Sequence, residues 1–233
     1  MNKGGGMKNI FLVDVDDMIL DFHGVSADAL RSAFAENSIL WEEDLEKAFR
    51  AFNASLWERL ERKELDRDTL MKERFAWFFQ EMGREVDGYA VNRCYIRYIS
   101  ENPRYIQGAE EFLYQLSQMG RVYLVTNGTE EIQKSRFSIV KLWEKAEQIF
   151  ISQQVGFDKP AKEYTDYVID HIEDFDARRA VWIGDSLSAD IKAANDAKIT
   201  SIWFNPHQKA LSNQAKPDYI VENFKEILAI LKK

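Results

Sequence analysis

The sequence has few of the residues on which several enzyme classes depend. Its single cysteine, Cys94, cannot form an internal disulfide and is expected to be a small buried helix residue rather than a nucleophile. Three histidines, His23, His171 and His207, are scattered without the paired spacing of a zinc site. The serine-rich stretch at residues 186–188 has no partnering histidine, so the sequence gives no support for serine-hydrolase chemistry.

Long apolar runs and an excess of positive charge are also missing. No run approaches the ~20 residues that a membrane span needs. A net charge of -8 disfavours nucleic acid and anionic membranes as partners, because both need a basic face. The same charge repels anionic substrates, so a phosphate site would need a metal cation and local positive groups. A single cysteine fits the reducing cytoplasm, which is the predicted location.

Five short apolar runs are typical of buried parallel strands. They cover residues 10–15, 122–125, 149–151, 180–183 and 200–204. Helical patterns alternate with these runs. They cover residues 108–119, 130–140, 161–172, 187–197 and 223–231. This alternation predicts an α/β fold with a doubly wound, Rossmann-like parallel sheet, because crossover connections are right-handed.

Residues 24–102 have a different character, with no proline, few glycines and apolar residues at helical spacing. They predict a four-helix cap domain inserted after the first strand, while residues 1–23 and 103–233 form the core. The cap aromatics Phe52, Trp57 and Phe75 could stack a nucleobase, although aromatics at helical spacing more often form a core.

Acidic residues follow the first predicted strand directly. Asp14 and Asp16 are two positions apart, which places both carboxylates on one side of the strand end. Such a pair could divide the work between an ionised nucleophile and an acid/base that protonates a leaving oxygen and later activates water. A polar turn that caps the strand would look the same.

Two further strand ends carry groups suited to an anion. Thr126, Asn127 and Gly128 could offer a hydroxyl and backbone N–H groups to a phosphate, or could simply cap the next helix. Lys159 precedes Pro160, which can open a helix, and its compact charge could hold a phosphoryl oxygen or be solvated.

The fourth predicted strand ends in Gly184-Asp185, with Asp190 five positions later in a new helix. Asp185 is suited to a hard cation such as Mg²⁺, which prefers oxygen ligands. Asp190 could be a second ligand, or could orient Lys159 or a metal-bound water. Two acids favoured at a helix N-terminus are the alternative.

Together the four motifs resemble those of the haloacid dehalogenase superfamily, specifically its phosphatases. The resemblance covers the chain from Asn9 to Leu231. It implies that Asp14 is the nucleophile and Asp16 the general acid/base.

The same resemblance implies binding roles. Thr126 and the backbone of Asn127 would bind phosphate, and Lys159 would hold both the nucleophile and the phosphate. Asp14, the backbone carbonyl of Asp16, and Asp185 would bind Mg²⁺.

Two positions depart from the family pattern, which usually has Gly-Thr where this chain has Asp17-Met18. Asp17 resembles a subgroup of bacterial pyrimidine 5′-nucleotidases, as do residues 56–59, 126–128 and 203–206. The expected substrate is therefore a small-molecule phosphomonoester, a nucleoside 5′-monophosphate in particular. Because Thr is usual at position 18, Met18→Thr is expected to keep or raise activity.

Three alternatives remain open. A sugar-phosphate phosphatase or a phosphomutase would use the same scaffold, and a mutase would return the phosphoryl group to a substrate hydroxyl. A non-catalytic binding module would keep the fold, and Met18 is its only support. A dehalogenase is disfavoured, because it would need neither Asp16 nor the metal-binding acids.

Overall fold

The structure of the protein, a computed structural model, describes residues 8–211 and 215–232. The first seven residues, which the domain prediction placed in the core, lie outside the described part. By its internal contacts the chain divides into two compact units, one running to Phe22 and resuming at Pro103, the other His23–Asn102. No described helix combines the length and the apolar character needed to cross a membrane.

The first unit contains a sheet of six parallel strands in the order β3-β2-β1-β4-β5-β6. This is the doubly wound strand order, and the predicted α/β fold is confirmed. The strands are β1 (Ile10–Asp14), β2 (Arg121–Thr126), β3 (Gln148–Ile151), β4 (Ala180–Gly184), β5 (Thr200–Phe204) and β6 (Tyr219–Val221).

Helices cover both faces of this sheet. They are α5 (Ala109–Met119), α6 (Glu130–Ile139), α7 (Ser152–Val155), α8 (Lys162–Asp170), α9 (Lys192–Asp196) and α10 (Phe224–Leu231). Phe11 and Val13 of β1 pack with α5, α6 and α10, while Ile10 and Leu12 pack with α8 and α9. Because successive side chains of a strand face opposite sides, β1 is buried on both faces, which explains its continuous apolar run.

The second unit contains four helices: α1 (Phe22–Glu36), α2 (Glu43–Glu61), α3 (Arg67–Glu81) and α4 (Gly88–Glu101). Its core is aromatic. The ring of Phe49 stacks on that of Phe75 at 4.3 Å between centroids, and Tyr95 meets Phe75 edge-on at 5.2 Å. Phe75 is fully buried, so it stabilises this core and is not available to stack a nucleobase.

The turn after β1 explains one departure from the family pattern. Asp17 has a φ of 57°, in the left-handed region where glycine is the usual residue. Aspartate is among the residues that best tolerate this conformation. The Asp17 N–H donates to the Leu20 carbonyl at 2.8 Å, which closes a compact turn. Asp17 therefore adopts a backbone conformation that glycine usually supplies.

Met18 is fully buried in the hydrophobic cluster on the α5 face of the sheet. A threonine here would leave part of that space empty and bury a hydroxyl in apolar surroundings. We therefore expect Met18→Thr to lower the free energy of unfolding by about 2 kcal/mol or more. The expectation that the change keeps or raises activity is a separate one and stays a prediction.

Urea unfolding of the variant checks this value, with Met18→Leu as the control because it conserves volume and should lose less than about 1.5 kcal/mol. Wild-type stability in Met18→Thr would contradict it.

Candidate active site

Three of the predicted site residues lie at the carboxyl ends of adjacent strands. Asp14 is the last residue of β1, Thr126 the last of β2, and Asp185 follows Gly184, the last of β4. β1 pairs with β2 on one side and β4 on the other. The strand order reverses between β1 and β4, and open α/β sheets bind ligands at this edge and at this point.

Lys159 lies buried between two carboxylates. Its Nζ donates to Asp14 Oδ1 at 2.5 Å and to Asp190 Oδ1 at 2.7 Å. The Val125 carbonyl accepts its third bond at 3.1 Å, so all three ammonium donors are used. Burial alone would lower the pKa of Lys159, but Asp14 and Asp190 raise it well above its usual value. Lys159 is thus a fixed positive charge beside Asp14.

Asn127 holds the backbone of Lys159 in place. The Asn127 Nδ2 donates to the Lys159 carbonyl at 2.9 Å, and its Oδ1 accepts from the Lys159 N–H at 2.8 Å. The sequence suggested a backbone role for Asn127 at phosphate. The structure shows in addition that its side chain positions the lysine loop. Pro160 does not open the following helix, because α8 begins two residues later at Lys162.

The glycine before Asp185 makes room for Asp190. A Cβ on Gly184 would lie 2.3 Å from the carboxyl carbon of Asp190, closer than real side chains approach. Asp190 is 1% exposed and accepts from the Ser186 N–H at 3.2 Å and from Trp182 Nε1 at 3.3 Å. These bonds and the lysine bond orient Asp190, which therefore positions Lys159, one of the roles left open for it.

Asp14, Asp185 and Asp190 form the acidic cluster of the site. One carboxylate oxygen from each lies within 4.8 Å of the others. Burial, and then Asp190, raise the pKa of Asp185 to about 6, although Lys209 lies 3.3 Å from its Oδ2 and opposes the shift. Burial and Asp190 likewise raise the pKa of Asp14 well above its usual value, against the lowering effect of Lys159.

The charges of this cluster suit a divalent cation. Three carboxylates face one buried ammonium, which leaves two negative charges without a buried counterion among the described residues. Carboxylate oxygens are the ligands that Mg²⁺ prefers. Both oxygens of Asp190 accept hydrogen bonds, from Lys159 and from the Ser186 N–H, whereas Lys159 contacts only Oδ1 of Asp14 and Lys209 only Oδ2 of Asp185. Asp14 and Asp185 therefore each keep an oxygen for the ion. The expected role of Asp16 involves its backbone carbonyl, which these side-chain distances do not address.

The side chain of Asp16 lies apart from the acidic cluster, in contact with α6. Its Oδ2 accepts from Gln133 Nε2 at 2.9 Å, and its Oδ1 lies 2.7 Å from Arg136 Nη1. The same Gln133 Nε2 donates to Thr126 Oγ1 at 2.9 Å, and Thr126 Oγ1 also accepts from the Gly128 N–H at 3.1 Å. One side chain therefore joins the predicted acid/base to the predicted phosphate-binding hydroxyl.

Sequence reasoning missed Gln133, Arg136 and Lys209. Gln133 and Arg136 are three residues apart on α6, so they lie on one helix face, but this helix was predicted only from its periodicity. Buried polar residues are rare, and nothing in the sequence separates them from the exposed lysines and glutamates of the same helix. Lys209 lies in the loop after β5, where the sequence offers no motif.

Comparison with known families identifies the fold family of this site. Residues 8–198 match the model of the haloacid dehalogenase-like hydrolases. The YfnB protein of Bacillus subtilis, named as a HAD-hydrolase, is 36% identical over 220 residues, which are 94% of each chain. A crystal structure of YfnB bound to magnesium has a TM-score of 0.90 at 35% identity and covers 98% of this chain and 100% of its own.

Two relatives carry a more specific name. The pyrimidine 5′-nucleotidase PynA of Streptococcus pneumoniae is 31% identical over 223 residues, 95% of this chain and 94% of its own. The pyrimidine 5′-nucleotidase YjjG of Escherichia coli is 23% identical over 218 residues, 94% of this chain and 95% of its own. The matches span both units of the chain.

Proposed function

The chain belongs to the haloacid dehalogenase-like hydrolases, and we propose that it is a magnesium-dependent phosphomonoesterase that works through a phosphoryl group on Asp14. The observation that carries the proposal is the contact between Asp14 Oδ1 and the buried Lys159, at the strand edge where Asp185 and Thr126 also lie. The contact leaves one oxygen of Asp14 available as a nucleophile next to a fixed positive charge.

In the first step, a carboxylate oxygen of Asp14 attacks phosphorus and the ester P–O bond breaks. Asp16 gives a proton to the departing oxygen. Lys159 offsets negative charge on the transferring group, and Thr126 and the N–H groups after β2 position its oxygens. Asp190 keeps the lysine aligned throughout.

In the second step, Asp16 takes a proton from a water molecule, which attacks the phosphorus of the acyl phosphate. The P–O bond to Asp14 breaks, and the carboxylate and inorganic phosphate are released. Asp16 thus ends the cycle protonated again, with a proton from water in place of the one that left with the alcohol product. Bound Mg²⁺, held by Asp14, the Asp16 carbonyl and Asp185, would supply charge neutralisation.

The proposed substrate class is the nucleoside 5′-monophosphate, with pyrimidines preferred. Support comes from PynA and YjjG, whose likeness extends over nearly the whole chain. Asp17, at which the sequence resembles the same nucleotidase subgroup, also supports this substrate class. A sugar phosphate is the alternative substrate, and a mutase the alternative reaction.

A panel of phosphomonoesters with a phosphate-release readout tests this assignment. We expect pyrimidine nucleoside monophosphates to give the highest kcat/KM, followed by purine nucleoside monophosphates and then by sugar phosphates. Higher values for sugar phosphates would overturn the substrate class and leave the phosphatase intact. Transfer of label between two positions of a sugar phosphate, without phosphate release, would show a mutase.

We expect Mg²⁺ to stabilise the protein, and to do so more at about pH 7.5 than at about pH 5. The pKa of Asp185 is raised to about 6, so its contribution to folding stability is present at low pH and is lost as the pH rises through that value. The cation binds the carboxylate form and restores stability over the same pH range. Thermal unfolding with and without the ion measures the difference.

Asp185→Asn is the matched control for this prediction. Because the amide does not ionise, the variant should be more stable than the wild type in chelator at about pH 7.5, and Mg²⁺ should add little. Equal stabilisation of both proteins by Mg²⁺ would show that the ion does not bind at Asp185.

A further inference from the structure

The feature with the least obvious purpose in the site is the buried Arg136. Its side chain is 1% exposed, with its guanidinium over the Phe22 ring at 5.5 Å. Among the described residues, its Nε and Nη2 have no hydrogen-bond partner. A buried guanidinium with unpartnered donors disfavours folding, because the charge loses its hydration without full compensation. A residue that costs stability in this way is expected to act in function.

Arg136 reaches the reacting groups through Gln133. The Arg136 Nη1 donates to Gln133 Oε1 at 2.5 Å. Since a guanidinium has only donors, it fixes the orientation of the amide, with Oε1 toward Arg136 and Nε2 toward Asp16 and Thr126. Without this contact the amide could rotate and present its acceptor to the Asp16 carboxylate, which would repel it.

Arg136 also acts on Asp16 directly. The distance from Nη1 to Asp16 Oδ1 is 2.7 Å, but the two groups are not aligned for a hydrogen bond. The attraction is therefore mainly one of charge, and the direction of the carboxylate is set by Gln133. Asp16 is 27% exposed on its side chain, so one side of the carboxylate remains open to water or substrate.

Gly128 supplies the space that Gln133 occupies. A Cβ at this position would lie 2.3 Å from Gln133 Nε2 and 2.4 Å from its Cγ. The Gln133 side chain would have to move away from Thr126 and Asp16. This close approach gives the glycine of the Thr-Asn-Gly motif a physical reason that is independent of phosphate.

We propose that Gln133 and Arg136 are positioning residues that hold the side chain of Asp16 in a fixed place relative to Thr126 during both steps. Gln133 sets the direction of the carboxylate, and Arg136 sets the direction of Gln133. The inference rests on the proposed function, since it assigns Asp16 the proton transfers. Neither residue touches the substrate in this scheme, and neither is a catalytic residue.

The test compares two phosphate esters with leaving groups of different basicity. Nitrophenyl phosphate leaves readily without a proton, whereas the alkyl ester of a nucleoside 5′-monophosphate does not. We expect Arg136→Met to lower kcat for the alkyl ester about 10²-fold and for the aryl ester several-fold less. KM and inhibition by inorganic phosphate should stay close to wild type, because Lys159 and Thr126 are intact.

A second readout follows the covalent intermediate. With nitrophenyl phosphate and a rapid acid quench, intact-protein mass spectrometry should show more phosphoryl adduct on Arg136→Met than on the wild type, because water activation is slowed. Arg136→Lys should recover part of the alkyl-ester activity, since it keeps the charge and one donor to Gln133. Gly128→Ala should share the leaving-group dependence of Arg136→Met.

Lys134→Met is the matched control. It removes a cation from the same helix, but Lys134 is half exposed and its ammonium pairs with Glu130 at the surface, so the activity of the variant should be unchanged. The melting temperature of Arg136→Met should stay close to that of the wild type, because Asp16 is 27% exposed and keeps its bond from Gln133, while the variant removes two buried donors that have no partner among the described residues.

Two results would overturn the inference. Equal losses on both esters, in proportion to a lowered melting temperature and without recovery in Arg136→Lys, would show that Arg136 acts only in folding. Wild-type kcat on the alkyl ester in Arg136→Met would show that Asp16 needs no such support. If Asp16→Asn forms no phosphoryl adduct with nitrophenyl phosphate, it is the proposed function that fails, and that experiment does not involve Arg136.

Discussion

Asp14→Asn should have no measurable phosphatase activity and should carry no phosphoryl group after a rapid acid quench. An amide is a poor nucleophile, so the covalent intermediate cannot form. The variant should fold well. The pKa of Asp14 is raised by burial and by Asp190, so replacing its carboxyl group with an amide removes an unfavourable charge, and Lys159 keeps its contact with Asp190.

Asp16→Asn should fail for a different reason. It keeps the nucleophile and loses the group that protonates the leaving oxygen and activates water, an effect of about 10²–10⁴ in rate. Nitrophenolate leaves readily without a proton, so with nitrophenyl phosphate the first step depends little on Asp16. The second step still depends on Asp16 to activate water. Asp16→Asn should therefore accumulate one phosphoryl group, while Asp14→Asn should show none.

Intact-protein mass spectrometry of both variants after the same quench separates the two roles. Asp196→Asn is a suitable control, because Asp196 is half exposed and pairs with Lys192 at the surface. An adduct of equal amount on Asp14→Asn would show that Asp14 is not the nucleophile. It would then direct attention to the other acids of the cluster.

Buried strands and strand-end acids were the parts most readily predicted from sequence. The runs that form β1 and β4 are apolar throughout because both faces of the sheet are covered, and Asp14 and Asp185 interrupt that pattern where each strand ends. β6 was missed. It has three residues, of which Tyr219 and Ile220 are about half exposed at the sheet edge, so it has no buried pattern.

Side-chain partners were the parts that the sequence could not supply. Met18 stands where the family usually has threonine, and its sequence position does not show that the side chain is buried in the core, directly after a residue with a positive φ. Arg136 could not be told from an exposed arginine of an amphipathic helix. Its burial depends on the packing of α6, and its contact with Asp16 joins residues 120 positions apart, which local patterns do not encode.

Lys159→Met should cause the largest combined loss of stability and activity. The substitution is close in size, but it leaves Asp14 and Asp190 buried without the ammonium between them. Removing one partner of a buried ionic group commonly lowers the free energy of unfolding by about 3–5 kcal/mol. Loss of its charge from the transferring phosphoryl group should lower kcat by about 10²–10³-fold.

The loss of stability should depend on pH in a direction that identifies its cause. Lys159 lowers the pKa of Asp14, so in Lys159→Met that pKa rises further above its ordinary value. A carboxyl group with a raised folded-state pKa contributes stability at low pH that is lost as the pH increases. The variant should therefore lie closer to the wild type at about pH 5 than at about pH 8, because the buried Asp14 carboxyl group accepts a proton.

Urea unfolding at both pH values, in chelator, measures this difference, with Lys192→Met as the control. Lys192 is half exposed and pairs with Asp196 at the surface, a contact expected to contribute no more than about 1 kcal/mol at either pH. A loss in Lys159→Met that is the same at both pH values would point to packing around the lysine stem. In that case the charge of Lys159 would act in the reaction without stabilising the fold, and its pairing with Asp14 and Asp190 would not be what holds the strand ends together.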